Sequence, residues 1–134
     1  MNDKPFFDTN VILYAFRQDD SRSPVAEALI AGGGTISVQV LNEFVAVARR
    51  KLNRSWREVR RALELLQIFF PHPLPLTLEI HERALRIAER YGYSIFDSLV
   101  IAAALDCGAT ALYSEDMHDG QTIYGLTIRN PFAR

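Results

Sequence analysis

The sequence has little cysteine and no long apolar run, and both shortages limit what the protein is. Cys107 is the one cysteine in 134 residues, which excludes an internal disulfide and fits a reducing cytosol. The longest aliphatic run, LVIAAAL, is too short to span a bilayer, and no basic-then-apolar leader opens the chain. We therefore expect a cytoplasmic protein that does not enter a membrane, folded as one domain over residues 1–134.

The motifs of several enzyme classes are also missing. The chain contains no Gly-x-Ser-x-Gly nucleophile elbow, no Cys–His partnership and no dinucleotide-binding fingerprint. The glycine run at residues 32–34 lacks the Gly-Lys-Ser/Thr ending of a phosphate-binding loop, so it predicts a turn. The histidines lack the spacing of metal ligands, although His118, beside Asp116, is a candidate substrate contact. These absences argue against most hydrolase and redox chemistries.

What the chain does contain is a series of short apolar strands that alternate with helices. We predict strands at residues 5–8, 35–37, 110–114 and 124–130. We predict helices that begin at residue 9 or 10, after an N-cap at Ser23, after residue 37, at the Ser55–Glu58 capping box, after Thr77 and at Ser94. This alternation predicts an α/β fold with a mainly parallel sheet, in which sites form beyond the carboxyl ends of strands.

Four acidic residues stand where a core-building sequence would not place them. Asp8 ends a buried strand, and Asp116 follows the strand at residues 110–114. Glu43 lies among apolar residues of one helix, and Asp97 is in the first turn of the most apolar helix. Each acid also has a purely structural explanation: a helix cap for Asp8 and Asp97, an exposed helix position for Glu43, and a turn residue for Asp116.

If the four acids converge, their mutual repulsion forces at least one to stay protonated unless a cation neutralises them. Carboxylate oxygens without cysteine or histidine suit Mg²⁺, or Mn²⁺, rather than zinc or copper. The pattern therefore predicts metal-dependent chemistry on a phosphate-bearing substrate.

The net charge of −1 conceals a basic segment. Residues 49–61 hold seven of the fifteen basic residues and one acid, Glu58. This segment is either a solvated helix face or a patch that binds phosphates. We expect Trp56 within it to pack against the core rather than to stack on a base. The following segment, residues 63–76, is apolar on more than one helical face, so we expect part of it in the core and part against a partner.

Three stretches of the sequence resemble the PIN-domain ribonucleases, in particular the VapC-type toxins of toxin–antitoxin pairs. They are FFDTNVILYAF, SVQVLNEFVAVARRK and YSIFDSLVIAAALDCGATALYSEDMHDG, which follow one another in the expected order, so that the match as a whole runs over nearly the whole chain. The resemblance implies a three-layer α/β/α sandwich, a homodimer, an RNA substrate and a VapB-type antitoxin whose tail occupies the toxin's groove.

The resemblance also implies a role for each site residue. Asp8 and Asp97 are expected to be the most direct Mg²⁺ ligands, and Glu43 and Asp116 to complete the catalytic site, directly or through water. The residues expected to orient the carboxylates or the phosphate are Thr9, Asn10 and Ser114, with Asp119 as a weaker candidate. The basic residues expected to contact RNA are Arg49, Arg50, Lys51, Arg54 and Arg57.

The leading hypothesis is a Mg²⁺-dependent endoribonuclease that acts as a toxin and is neutralised by its antitoxin. One alternative is a phosphoryl-transfer domain of the haloacid-dehalogenase or receiver type. Against it, Asp8 has no second aspartate two residues later, and Lys4 and Lys51 are poorly placed for a receiver. The other alternative is a PIN-like binding module without activity.

Overall fold

The structure is a computed structural model that describes residues 4–133. Its four-stranded sheet has the order β1-β2-β4-β3. The strands are β1 (Phe6–Phe7), β2 (Ala111–Tyr113), β3 (Thr122–Ile123) and β4 (Leu126–Arg129). β1 pairs in parallel with β2, and β2 with β4, whereas β3 pairs antiparallel with β4. The sheet is therefore mainly parallel, as predicted.

The predicted strand at residues 35–37 is present as two single-residue bridges rather than as a continuous strand. Thr35 bridges Phe6, and Ser37 bridges Leu74, both in parallel. The segment is too short to continue because Ser37 already caps the next helix, where its side chain accepts a hydrogen bond from the Val40 N–H. These bridges nevertheless extend the sheet beyond β1.

The turn before this segment brings two pieces of backbone very close together. A Cβ atom at Gly34 would lie 2.4 Å from the Phe7 ring and 2.6 Å from the Pro5 carbonyl oxygen. Only glycine fits that position, which explains the end of the glycine run at residues 32–34.

Six helices are described in residues 4–133. They are α1 (Thr9–Ala15), α2 (Ser23–Ala31), α3 (Val38–Arg50), α4 (Trp56–Phe69), α5 (Leu78–Tyr91) and α6 (Ile95–Asp106). The predicted capping box is present at α4, where Ser55 and Glu58 bond each other's backbone N–H. The caps predicted at Thr77 and Ser94 are also present, and Gly92 ends α5 in the left-handed conformation.

The N-cap predicted for α2 is wrong by one residue. Arg22 occupies the cap, and Ser23 is the first helical residue. The Ser23 hydroxyl instead donates a hydrogen bond of 2.7 Å to the Arg17 carbonyl oxygen, so it is not available to the helix N–H groups.

Helix α6 is the centre of the core. Its residues from Ser98 to Ala104 are all buried, as its nearly uniform apolar sequence predicts. Helix α5 packs along it, and α3 contacts α6, α4 and α1. Among the helices of the described chain, none combines the length and apolar character needed to cross a membrane.

The segment at residues 63–76 is divided between core and surface, as predicted. Leu66 and Phe70 are buried. Ile68 is 73% exposed and Phe69 51% exposed, so one face of α4 carries large apolar side chains in solvent.

Strand β3 is the element that sequence analysis missed. It has two residues and joins β4 through Tyr124 and Gly125, both at positive φ. Such a two-residue turn suits the twist of a hairpin, but a two-residue strand has no alternating pattern to detect.

The parallel pairing determines where the site forms. Because β1 and β2 run side by side in the same direction, Asp8 and Ser114 leave the sheet at the same edge.

Candidate active site

The four acids line one cavity at this edge of the sheet. The cavity has a volume of about 380 Å³, and its lining residues are Asp8, Thr9, Asn10, Leu13, Glu43, Ala46, Val47, Lys51, Asp97 and Asp116. The convergence that the sequence suggested is therefore observed, although the catalytic role of each acid stays a prediction.

Asp8 is both a helix cap and a member of the cavity. One carboxylate oxygen, Oδ1, accepts a hydrogen bond of 2.7 Å from the Thr9 N–H at the start of α1. The other, Oδ2, accepts from the Ser114 hydroxyl at 2.7 Å and from the Asn10 amide at 3.3 Å. The capping explanation and the site explanation are therefore both correct.

Asp8 is buried away from water, and its ionisation is disfavoured. Burial raises the pKa of Asp8 from 3.8 to about 7. Hydrogen bonds from Ser114 and Thr9 lower this pKa, but by less than burial raises it. The negative charges of Asp97 and Glu43 raise the pKa further, which shows that the acids sense one another.

Asp97 is in the first turn of α6 and is half-buried. Burial raises the pKa of Asp97, and the neighbouring charges of Glu43 and Asp116 add to that increase. Its backbone N–H bonds the Ser94 hydroxyl at 3.1 Å, so the residue also belongs to the helix cap.

Asn10 connects Asp8 to the turn at residues 114–116. Its amide nitrogen donates to Asp116 Oδ2 at 3.1 Å, and its amide oxygen accepts from the Glu115 N–H at 3.1 Å. Ser114 is fully buried, and its hydroxyl accepts from the Asp116 N–H at 3.2 Å. Asn10 and Ser114 therefore hold carboxylates, as the resemblance implies.

Thr9 holds the Glu43 carboxylate by a hydrogen bond. Its hydroxyl donates to Glu43 Oε2 at 2.8 Å, while the Gln39 amide donates to Oε1 at 3.3 Å. Gln39 was not predicted. It lies one helical turn before Glu43 on α3, and this i,i+4 spacing is the signal that points to it.

Two other predicted residues lie elsewhere. Asp119 Oδ1 accepts a hydrogen bond of 2.8 Å from the Asn130 N–H, and Asp119 does not line the cavity. His118 does not line the cavity either, and its backbone N–H donates to the Tyr93 hydroxyl at 3.1 Å.

A second group of acids, centred on Arg22, lies beside the cavity and was missed by sequence analysis. The Arg22 guanidinium pairs with Asp20 at 2.7 Å and with Glu115 at 3.0 Å. It also lies 4.0 Å from the centroid of the Tyr14 ring, and the Tyr14 hydroxyl donates to Glu115. We call Tyr14, Asp20, Arg22 and Glu115 the arginine cluster.

Both carboxylates of the arginine cluster contact the Arg22 guanidinium, so one positive charge offsets part of two negative charges. Hydrogen bonds from Arg22 hold the pKa of Asp20 well below its ordinary value. Burial, together with the hydrogen bond to Glu115, raises the pKa of Tyr14 to about 12. In the cavity, by contrast, no basic nitrogen of residues 4–133 lies within 4.0 Å of any of the four carboxylates.

The lining of the cavity fits a hard divalent cation by its chemistry. The side-chain donors from its acids are oxygens, and no histidine or cysteine lines it. Among the described residues, the lining has four acids and one lysine, Lys51, so a divalent cation would offset negative charge that remains. Within the described residues, no group of three Asp, Glu, His or Cys side chains is close enough together to hold a metal ion. Binding of an ion would therefore require these side chains to rotate.

The basic residues predicted to contact RNA lie in the last turn of α3, in the loop that follows and at the start of α4. Lys51 lines the cavity itself, and Arg54 pairs with Glu58 at 3.4 Å. The prediction that Trp56 packs against the core is wrong: Trp56 is 56% exposed. The Arg49 guanidinium lies 4.5 Å from the centroid of its ring and holds the indole at the surface.

Comparison with known proteins identifies a family and a set of similar folds. A family model of the PIN domain matches residues 6–118, whereas no curated protein sequence matches significantly. Among solved structures, the chain is similar to the sarcin–ricin loop cleaving toxin VapC20 of Mycobacterium tuberculosis. The identity is 22% over 84% of this chain and 90% of that one, with a TM-score of 0.67.

Two further structures are similar over nearly their full lengths. One is a toxin–antitoxin complex from Klebsiella pneumoniae, with 18% identity over 96% of this chain and 98% of that one and a TM-score of 0.73. The other is VapBC2 from Rickettsia felis bound to promoter DNA, with 19% identity over 94% and 97% and a TM-score of 0.67. These likenesses confirm the predicted α/β/α sandwich with a mainly parallel sheet.

Proposed function

The chain belongs to the PIN domain family, and from that premise we propose that it is a Mg²⁺-dependent endoribonuclease that serves as the toxin of a toxin–antitoxin pair. The observation that carries the proposal is the set of four carboxylates that line one cavity together with Lys51, and no basic nitrogen of residues 4–133 lies within 4.0 Å of any of the four. Structural ion pairs do not leave such charge uncompensated, whereas a site that binds a cation does.

The similar structures support the choice of substrate and partner. VapC20 is described as a toxin that cleaves the sarcin–ricin loop, and the other two are toxin–antitoxin complexes. We accordingly propose RNA as the substrate, a VapB-type protein as the antitoxin, a homodimer as the assembly and the cytoplasm as the place of action.

Each acid receives a specific role in this proposal. Asp8 and Asp97 hold the ion, and Glu43 and Asp116 complete the site and orient the attacking water. A bound Mg²⁺ or Mn²⁺ ion would supply Lewis acidity, which lowers the pKa of a water molecule and stabilises the departing 3′-oxygen. Thr9, Asn10 and Ser114 keep the carboxylates in place through the hydrogen bonds described above.

Basic residues near the cavity would reduce the repulsion between its acids and the phosphates of RNA. Lys51 lines the cavity and is best placed to approach a phosphate close to the cleaved bond. We propose that Arg49, Arg50, Arg54 and Arg57, all exposed, continue this surface. Because such contacts release counterions, cleavage should weaken as salt concentration rises.

The exposed apolar face of α4, together with exposed Leu78 at the start of α5, supports an assembly of more than one chain. Leu65, Ile68 and Phe69 of α4 and Leu78 of α5 are between 48% and 73% exposed. Large apolar side chains in solvent are typical of protein interfaces. We propose that the second subunit and the antitoxin cover this face.

The experiment that tests the function is cleavage of cellular RNA by purified protein with and without a chelator. Cleavage should require Mg²⁺ or Mn²⁺, stop in EDTA and return with excess metal. Cleavage that continues at full rate in EDTA contradicts the proposal. Expression should also arrest growth, and the Asp8→Asn variant should be harmless.

One observation favours a second candidate, phosphoryl transfer. Lys51 lines the same cavity as Asp8, although no Lys51–Asp8 ion pair lies within 4.0 Å, so its poor placement for receiver-like chemistry stays a prediction. Incubation with acetyl phosphate followed by mass measurement separates the two functions. A stable aspartyl-phosphate at Asp8 favours the second candidate, whereas an unmodified chain favours the nuclease.

A further inference from the structure

An open groove on α4 is lined by arginines. Its volume is about 730 Å³, and Arg57, Arg60, Arg61 and Glu64 line it. We call it the arginine groove. All three arginines are exposed, and within the part of the chain that the structure describes none of them lies within 4.0 Å of a carboxylate. Arg54 at the same end of α4 does have a partner, Glu58.

The position of these arginines is unfavourable for the helix. All three lie towards the N-terminus of α4, and Arg57 stands in its first turn, where the helix dipole disfavours positive charge. Arg57 and Arg61 are also separated by four residues, a spacing at which like charges repel. The nearest early acid, Glu58, is already used by the capping box and by Arg54. Helix stability therefore does not explain why three arginines are placed here.

Trp56, the first residue of α4, exposes an aromatic surface one residue before Arg57, the first arginine of the groove. More than half of its surface is in solvent, although tryptophan is a residue that normally buries its ring. The Arg49 guanidinium lies over the indole and also donates a hydrogen bond of 2.9 Å to the Arg54 carbonyl oxygen. An exposed ring beside cations is the arrangement on which unpaired bases stack.

The arginine groove is connected to the acidic cavity through a short stretch of chain. Lys51 lines the cavity and caps the C-terminus of α3, and Trp56 begins α4 five residues later. Lys51 at the cavity is therefore followed along the chain by Arg54 in the α3–α4 loop and then by the arginines of the groove. A polyanion held at the cavity would have these basic residues to bind along this stretch of chain.

We propose that the arginine groove and Trp56 form a second binding site for single-stranded RNA. This site holds nucleotides of the strand that lie away from the cleaved bond. This inference rests on the proposed endoribonuclease function and adds that the substrate is a polymer that extends beyond the cavity. The exposed indole favours RNA over an acidic protein segment, because a base stacks on it and a carboxylate does not.

The test compares two lengths of RNA that contain the same cleavage site, one of about 16 and one of about 4 nucleotides. The variant is Arg60→Glu with Arg61→Glu, and the charge-matched control is Arg83→Glu with Arg86→Glu on α5. For the groove variant, kcat/KM on the longer RNA should fall about tenfold or more, and the slope of its logarithm against log salt should decrease by about 1.4. The short RNA and the control variant should keep wild-type values.

Trp56→Ala separates stacking from charge. It should weaken binding of the longer RNA about tenfold while leaving the salt slope unchanged, since a base contact releases no counterion. If the glutamate variants unfold, Arg60→Gln with Arg61→Gln provides the same comparison with a smaller change in charge.

Several outcomes overturn the inference. Unchanged cleavage of the longer RNA by the groove variant would contradict it. An equal loss of kcat/KM on the longer and the shorter RNA would also contradict it. Poly-glutamate that competes as well as RNA of equal charge, with no effect of Trp56→Ala, would assign the groove to acidic proteins instead. If wild-type protein cleaves neither RNA, the proposed function fails, and fluorescence anisotropy of the longer RNA still tests the groove.

Discussion

Two groups of carboxylates meet at the turn over residues 114–116, and they differ in what surrounds them. Glu115 belongs to the arginine cluster, where it shares the Arg22 guanidinium with Asp20. Asp116 lines the cavity, where no arginine is near. The consequence appears in the pKa values: Arg22 lowers the pKa of Asp20, whereas burial raises that of Asp8 to about 7.

The difference distinguishes acids that stabilise a fold from acids that are available for chemistry. In the arginine cluster, each negative charge has a partner and the elements are joined. In the cavity, the charges repel one another, which makes the fold less stable, and a bound cation would remove that cost. Asn10 lies between the two groups, since it bonds the Glu115 N–H and the Asp116 carboxylate.

The largest expected difference between the two groups is in activity. Asp97→Asn removes a proposed direct ligand from the cavity, whereas Asp20→Asn makes the matched change in the arginine cluster. Even residues that only support metal ligands change activity about 10–100-fold, so Asp97→Asn should lower kcat/KM for RNA more than about 100-fold. Asp20→Asn should change it less than about tenfold. Equal losses in both variants contradict the comparison.

The second prediction concerns stability and pH in the absence of metal. The folded state holds a proton on Asp8 between pH 3.8 and about 7 that the unfolded state has lost. The free energy of unfolding should therefore fall as pH rises through this range and level off above it, by roughly 4 kcal/mol from Asp8 at most. Urea unfolding in EDTA at several pH values measures this slope.

Asp8→Asn is the control for that slope, since it should flatten the curve between pH 4 and 7. The arginine cluster should act in the opposite direction, because the pKa of Asp20 is lowered. Its contribution is present above the ordinary pKa of an aspartate and is lost as pH falls below it. A wild-type protein that becomes steadily more stable from pH 5 to 7 without metal contradicts the pKa assigned to Asp8.

A smaller effect is expected when the arginine cluster is opened. Arg22→Met leaves Asp20 and Glu115 without their partner, so Tm should fall by a few degrees. Cleavage should fall by less than about tenfold, because Asp116 still has its bond to Asn10 and loses only the support of its neighbour. Glu115→Gln keeps an oxygen that accepts the hydrogen bond from Tyr14, so it should lower Tm and cleavage less than Arg22→Met does. A loss of activity as large as that of Asp97→Asn contradicts this ranking.

The smallest effect is expected for Asp119→Asn. Its side chain accepts from the Asn130 N–H, and an amide oxygen can make the same bond. Activity should stay within about twofold of wild type, and the free energy of unfolding should change by less than about 1 kcal/mol. A large loss of activity with an unchanged Tm would return Asp119 to the catalytic site, as the sequence resemblance implied.

The convergence of the acids was predictable because it depends on local signals. A strand that ends in Asp8, a strand followed by Asp116 and a helix that starts near Asp97 meet at one sheet edge once the strands are parallel. The helix starts were predictable for the same reason, since caps such as Ser55 and Thr77 act within one turn.

The arginine cluster was not predictable because its members are far apart in the sequence. Arg22 and Glu115 are separated by 93 residues, and no periodic pattern connects them. The exposure of Trp56 depends on the position of Arg49 across a loop. Strand β3 and the N-cap of α2 were missed because each depends on one or two residues that tertiary contacts decide.

The most direct test of the account is a thermal titration of purified, chelator-treated protein with MgCl₂ and MnCl₂, with NaCl at equal ionic strength as control. A ligand that binds the folded state alone stabilises it by about 2.7 kcal/mol at a hundredfold excess over Kd. We predict that Tm of the wild-type protein rises with either divalent ion and that Tm of the Asp8→Asn, Asp97→Asn double variant does not. A wild-type Tm that is the same in all three salts would contradict the claim that these acids form a cation site.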